Sequence, residues 1–181
     1  LGYLGNVQVN NAGSNKIVSA TDANGSLDVN GATAANVDAG SAKTVTVDGS
    51  GTAADNVSAM VTAGAATTTI DVGSATAFVA NTVVGGAATT SIEVNGTAGT
   101  SDSADITVVN DGTVSAQTAE IETVNITAND GQKVTLADGS LIDDLTVTSA
   151  GSVTLVAGSD ELTKGALSKG LTNATAGLTV D

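Results

Sequence analysis

The side chains able to do chemistry here are almost all carboxylates. The chain carries 19 Asp and Glu against 5 Lys and Arg, and has no His and no Cys. Without those two, the usual nucleophile–base pairs cannot be assembled, and zinc and haem lose their common ligands. Two carboxylate chemistries remain. One is glycoside cleavage by a pair of acids facing each other across a cleft. The adjacent pairs are Glu120 with Glu122 and Asp143 with Asp144. Glu120 and Glu122 flank Ile121, so the alternation expects them on the outer face of a strand. Asp143 and Asp144 sit between apolar segments and read as a turn. Carbohydrate sites also use aromatic platforms, and the chain offers only Tyr3 and Phe78. A carboxylate-based glycoside-processing enzyme is therefore the remote alternative.

The other chemistry is coordination of a hard cation by carboxylates, amide oxygens and backbone carbonyls, which makes calcium the one cofactor the residue types favour. The candidate ligands are Asp102 with Asp105, Asp111 beside Asn110, Asp130 beside Asn129, and Asp138 with Asp143 and Asp144. Each also has a backbone reason to be where it is, since Asp and Asn favour turns. Neither the Gly-Gly-x-Gly-x-Asp nonapeptide of calcium β-rolls nor an EF-hand loop occurs.

The elements that would position these groups are short strands. Val7-Gln8-Val9, Leu27-Asp28-Val29, Val45-Thr46-Val47, Ile70-Asp71-Val72 and Ile92-Glu93-Val94 all read apolar–polar–apolar. So do Ile106-Thr107-Val108, Val124-Asn125-Ile126, Val134-Thr135-Leu136, Leu145-Thr146-Val147, Val153-Thr154-Leu155 and Leu178-Thr179-Val180. That is the period of a strand with one buried face. The units starting at Leu27, Val45, Ile70 and Ile92 share a longer form, and their starts lie 18, 25 and 22 residues apart. Weaker apolar spots fall between strong units, at Val37, Val57, Val61, Phe78, Val79 and Val83. From Ile106 onward the strong units crowd closer together. This is an irregular internal repeat, with one coil of a solenoid taking about 20 residues and contributing two or three strands.

The expected fold is all-β: a parallel β-solenoid, β-helix-like, with short irregular strands. β-Sandwich domains are the alternative, because the Asn-Gly and Asp-Gly pairs at 24–25, 30–31, 48–49, 95–96, 111–112, 130–131 and 138–139 would serve hairpins as well as coil corners. A shortage of bulky core residues favours thin stacked layers. Residues 1–181 read as a single repetitive unit with a soft boundary near 100. A short helical turn is expected over 159–171, with Ser159 as cap, and a weaker helical candidate lies over 52–60. Thr44, Thr46, Thr67, Thr68, Thr69, Thr89 and Thr90 would line one face if the array were an ice-binding surface, a minor reading given their uneven spacing.

A formal charge of −14 argues against nucleic acid, since few phosphates could be neutralised, and against a polybasic membrane contact. No run of eighteen apolar residues marks a membrane-inserted helix. The start, Leu1-Gly2-Tyr3-Leu4-Gly5, is not an initiator Met, and the chain reads as processed or cut from something larger.

One segment carries a resemblance. Gly99-Thr100-Ser101-Asp102-Ser103-Ala104-Asp105-Ile106-Thr107-Val108, followed by Ile121-Glu122-Thr123-Val124-Asn125-Ile126, resembles the S-layer and other large surface proteins that Gram-negative bacteria export by type I secretion. The Ala/Thr/Gly/Val/Asn/Asp style extends that likeness along the chain. The resemblance implies a short-stranded β-solenoid in an extracellular, cell-surface protein that self-associates into a sheet or filament. It implies assembly driven by calcium, and lipopolysaccharide as an anchor for another part of the parent. The function expected is a structural surface-layer component and not an enzyme. The alternative is a stalk or binding module of a large adhesin or biofilm fibre protein.

Overall fold

A computed structural model describes residues 6–10, 12–14, 16–18, 25–51, 56–73, 75–98, 101–116, 121–137, 140–149, 151–156, 170–173 and 177–180. Every element among them is a strand, and the strands form two sheets. The first has nine strands: β1 (Val7–Val9), β3 (Ser26–Ala32), β5 (Thr44–Gly49), β7 (Thr69–Val72), β9 (Ser91–Val94), β11 (Gly112–Ser115), β13 (Gln132–Leu136), β15 (Ser152–Val156) and β17 (Gly177–Val180). The second has eight: β2 (Lys16–Val18), β4 (Ala34–Asp38), β6 (Ser58–Thr62), β8 (Ala80–Val84), β10 (Ser103–Val108), β12 (Ile121–Ala128), β14 (Ile142–Ser149) and β16 (Gly170–Asn173). Successive strands alternate between the sheets, so each coil gives one strand to each. Every pairing is parallel. The chain is a parallel β-solenoid. Antiparallel hairpins, which a sandwich would require, do not occur among the described residues.

The register explains the uneven repeat. In the nine-stranded sheet Val7, Leu27, Val45, Ile70, Ile92, Val114 and Leu136 stand opposite one another in turn. In the eight-stranded sheet the same holds for Ile17, Val37, Val61, Val83, Ile106, Ile126 and Val147. One coil therefore spans 18 to 26 residues, and the differences are absorbed at the corners. Apart from the partly buried Val7 and Ile17, both columns are buried in one aliphatic core. Burying such a side chain stabilises by about 1.5–3 kcal/mol.

In the first half the second sheet presents only small or polar neighbours beside each valine. Its adjoining column runs Ala35, Ala59, Asn81 and Ala104, then changes to Val124 and Leu145. Hence the strong sequence units sit in one sheet before residue 100 and in both after it. Both sheets continue through that point, with β8 pairing β10 and β9 pairing β11.

Some local expectations change. Ser58, Ala59 and Met60, expected in a helical turn, lie in β6, where period-two burial of Ala59 and Val61 overrides helix propensity. Of the turn expected over 159–171, residues 159–169 lie outside the described residues, and Gly170 and Leu171 open β16. Among the described Asn-Gly and Asp-Gly pairs only Gly31 (φ 71°) and Gly131 (φ 78°) take the left-handed region. Gly49 serves close approach instead: a Cβ there would sit 2.1 Å from the Asn56 amide nitrogen.

The corner Gly64-Ala65-Ala66-Thr67-Thr68 recurs as Gly86-Ala87-Ala88-Thr89-Thr90. Thr67 Oγ1 donates to Ala42 O (2.7 Å) and accepts from Gly64 N (3.0 Å). Thr89 Oγ1 donates to Thr67 O (2.8 Å) and accepts from Gly86 N (2.9 Å). These two coils thus hydrogen-bond their predecessors in the same way, and the stability of such a stack is a sum of coil and interface contributions. Deleting residues 64–85 should remove one coil and join Ala63 to an equivalent corner. The shortened chain is expected to keep its β circular-dichroism spectrum and a cooperative urea transition. A spectrum of unordered chain would count against interchangeable coils.

Candidate functional site

The described acids among the sequence candidates fall into three structural settings. The first is a corner clamp. Asn110 Nδ2 donates to Ala87 O of the preceding coil (3.2 Å), and Asp111 Oδ1 accepts from Lys133 N of the following one (2.7 Å). One coil later Asn129 Nδ2 donates to Val109 O (3.1 Å), and Asp130 Oδ1 accepts from Ser152 N (2.7 Å) and Ser152 Oγ (3.3 Å). The Asn-Asp dipeptide thus reaches both ways along the stack. A carboxylate supplies the acceptor because charge-assisted bonds to backbone N–H are the stronger kind. These two calcium candidates are one coil apart, each engaged by the coil that follows it.

The second setting is the bend entering the eight-stranded sheet. Ser103 pairs Thr123 and Thr123 pairs Asp144, so the residues just before them, Asp102, Glu122 and Asp143, occupy equivalent places in three consecutive coils. Asp102 is 1% exposed, and both carboxylate oxygens accept from the Thr97 hydroxyl (3.0 and 2.9 Å). Its own N–H donates to Glu122 Oε2 (2.7 Å). Asp143 and Asp144, read from sequence as a turn, lie inside β14. The alternation breaks there: Ile142 and Leu145 are both buried with the two acids between them, and Ile121 and Val124 do the same around Glu122 and Thr123. An irregular strand looks like a turn in sequence because only one residue separates the two patterns. The two aspartates are neighbours on one strand and not opposite walls of a cleft. Glu120 and Asp138 lie outside the described residues.

The third setting is the outer face of the eight-stranded sheet. Asp105 Oδ1 accepts from Asn125 Nδ2 of the next coil (2.8 Å). Asp105 and Asp102 therefore diverge, one outward and one into the bend. Among the described residues no three His, Cys, Asp or Glu side chains are gathered as a metal ion requires.

The threonines divide as well. Thr67 and Thr89 are buried at the corner. Thr68 and Thr90 bond outside them to Lys43 O and Thr68 O. Thr44 stands opposite Thr69 in the nine-stranded sheet, while Thr46 stands opposite Asp71 in a different column. The seven do not form one face.

Sequence reasoning missed the polar interior. Asp48 Oδ1 accepts from Ala75 N (2.8 Å) and Thr76 N (3.3 Å) of the next coil. Asn56, 0% exposed, donates to Ala77 O (3.1 Å) and accepts from Ser50 N (3.1 Å). Asn81, also buried, donates to Phe78 O (3.1 Å). The duplicated Gly-Ala-Ala-Thr-Thr run was the available signal for the corner ladder. Nothing in the local sequence distinguishes Asn56 or Asn81 from surface turn residues.

These arrangements define the class: a two-sheet parallel β-solenoid whose acidic and amide side chains chiefly tie coil to coil. Comparison with known protein families, curated proteins and solved structures finds no match.

Proposed function

We propose that this chain is a structural component of an extracellular surface layer of a Gram-negative bacterium, a scaffold that self-assembles and does no catalysis. The observation that carries the reading is the pair of unbroken parallel sheets, closed on a common aliphatic interior and running the length of the described chain. A solenoid of this kind gives reach and rigidity for little sequence complexity. The segment that resembles type I-secreted surface proteins supplies neighbouring strands, β10 and β12, joined from Ser103↔Thr123 to Val108↔Ala128. A charge of −14 opposes close packing of copies, so calcium is the proposed promoter of assembly through neutralisation and screening. Lipopolysaccharide is the proposed anchor, acting through another part of the parent.

The second reading is the stalk of an adhesin or biofilm fibre. It draws on the same charge, which would keep neighbouring rods apart. Sedimentation and electron microscopy of the purified chain, with and without millimolar calcium, separate the two. Ordered sheets or filaments that grow with calcium are expected. A monomer under both conditions overturns the assembly reading and leaves the stalk.

A further inference from the structure

We propose that this 181-residue chain binds a second copy of itself end-on, with β1 and β2 of one copy pairing β17 and β16 of the next. This names the contact behind the self-assembly proposed above and rests on that reading. Three observations carry it.

All the coil-to-coil pairings are parallel, and the inner aliphatic positions stay opposite one another although coil length varies. The lower edge of a coil therefore presents the pattern that the upper edge of another accepts. The repeated corner at 64–68 and 86–90 shows two coils meeting their predecessors through the same bonds. Secondly, among the described residues β1 and β2 pair on one side only, with β3 and β4, and β17 and β16 pair on one side only, with β15 and β14. Each edge is a row of backbone donors and acceptors at the spacing of a further strand, about 4.8 Å away. Thirdly, the aliphatic register reaches both edges. Val7 and Val9 are partly buried against the core, and Leu178 and Val180 stand opposite Val153 and Leu155. No proline guards either edge.

The contact is strand addition. Because it joins unlike ends it does not close on itself, so repetition yields a filament and not a dimer. A neighbouring segment of a longer polypeptide would occupy the same edges, and in that setting the chain would assemble only after release.

The test uses the chain and two variants, Val9→Lys and Val180→Lys, each placing a charge in the aliphatic register of one edge. Sedimentation velocity and electron microscopy should show filaments for the parent, with a strand repeat of about 4.8 Å along the axis. Each variant alone should be monomeric. Their equimolar mixture should give 1:1 dimers and nothing longer, since each retains one competent and complementary edge; misfolded chains would not do this. If a Lys variant loses the parent circular-dichroism spectrum, Val9→Thr and Val180→Thr replace the pair, with weaker assembly expected. Filaments that persist in both Lys variants, or variants that keep the parent spectrum yet fail to dimerise when mixed, overturn the end-on contact. Side-by-side sheets unaffected by either substitution overturn it while leaving the surface-layer reading intact. A monomeric parent under every condition overturns both.

Discussion

Replacing Gly64 with alanine should destabilise the chain by about 3 kcal/mol, the upper end of the range for forcing one carbon into a packed site. The new Cβ would lie 1.8 Å from Gly40 O, a backbone atom of the preceding coil that cannot swing aside. Gly86 repeats the approach one coil on, with Gly64 O at 2.5 Å. The corner therefore tolerates no side chain at either position while the coils keep their separation. Gly131→Ala is the control. Its φ of 78° strains any L residue, but nothing lies within 4 Å of the added carbon. That variant should lose only about 1–2 kcal/mol. Urea titration followed by circular dichroism compares the two. If Gly64→Ala unfolds no earlier than Gly131→Ala, the close corner stack is wrong.

Truncating Ile70 to alanine should cost more still, about 4 kcal/mol. Ile70 is fully buried between Val45 and Ile92 in the inner column of the nine-stranded sheet. The spread of measured costs for such truncations reflects how far the walls collapse into the cavity. Here they cannot close along the stack, because backbone ladders on both sides hold the strands about 4.8 Å apart. Denaturant midpoint measures the loss, and hydrogen exchange locates it: protection should fall first in β5, β7 and β9. Thr69→Ala, in an outward-facing and half-buried position of the same strand, should change stability by about 0.5 kcal/mol or less. A loss at Ile70 no larger than that at Thr69 would remove the inner column as the source of stability.

Legibility followed the strength of the side-chain pattern. Every apolar–polar–apolar unit read from the sequence lies in a strand, and the 18-, 25- and 22-residue spacings from Leu27 to Ile92 are the lengths of successive coils. Val37, Val61 and Val83 registered only as weak spots, because their inner neighbours are Ala35, Ala59 and Asn81. A strand whose inner face is half alanine has little periodicity to detect. It is held by its neighbours' ladders and by the larger residues of the opposite sheet.

The acidic residues show the complementary failure. Asp102, Asp105, Asp111, Asp130, Asp143 and Asp144 were all visible as chemistry-bearing groups in turn-rich surroundings. Their sequence proximity did not indicate which side each would take. Asp102 and Asp105 are three residues apart, yet Asp102 is closed into the bend and Asp105 is exposed beside Asn125. Asp111 and Lys133 are 22 residues apart and in hydrogen-bond contact. A solenoid brings residues one coil apart into contact, so its polar bonds run across a separation that local patterns do not register.

By itself the sequence determined the all-β class, the strand positions with strong inner residues, the coil length and the lack of His and Cys chemistry. Alternation, β-branched content and composition are local properties, and they act without knowledge of the partner strand. Only the tertiary structure decided that the strands stack in parallel in two sheets. It alone decided that coil-length differences vanish into the corners, and that Asn-Asp dipeptides clamp one coil to the next. Those outcomes depend on register between coils, which is set by burying all the inner columns at once.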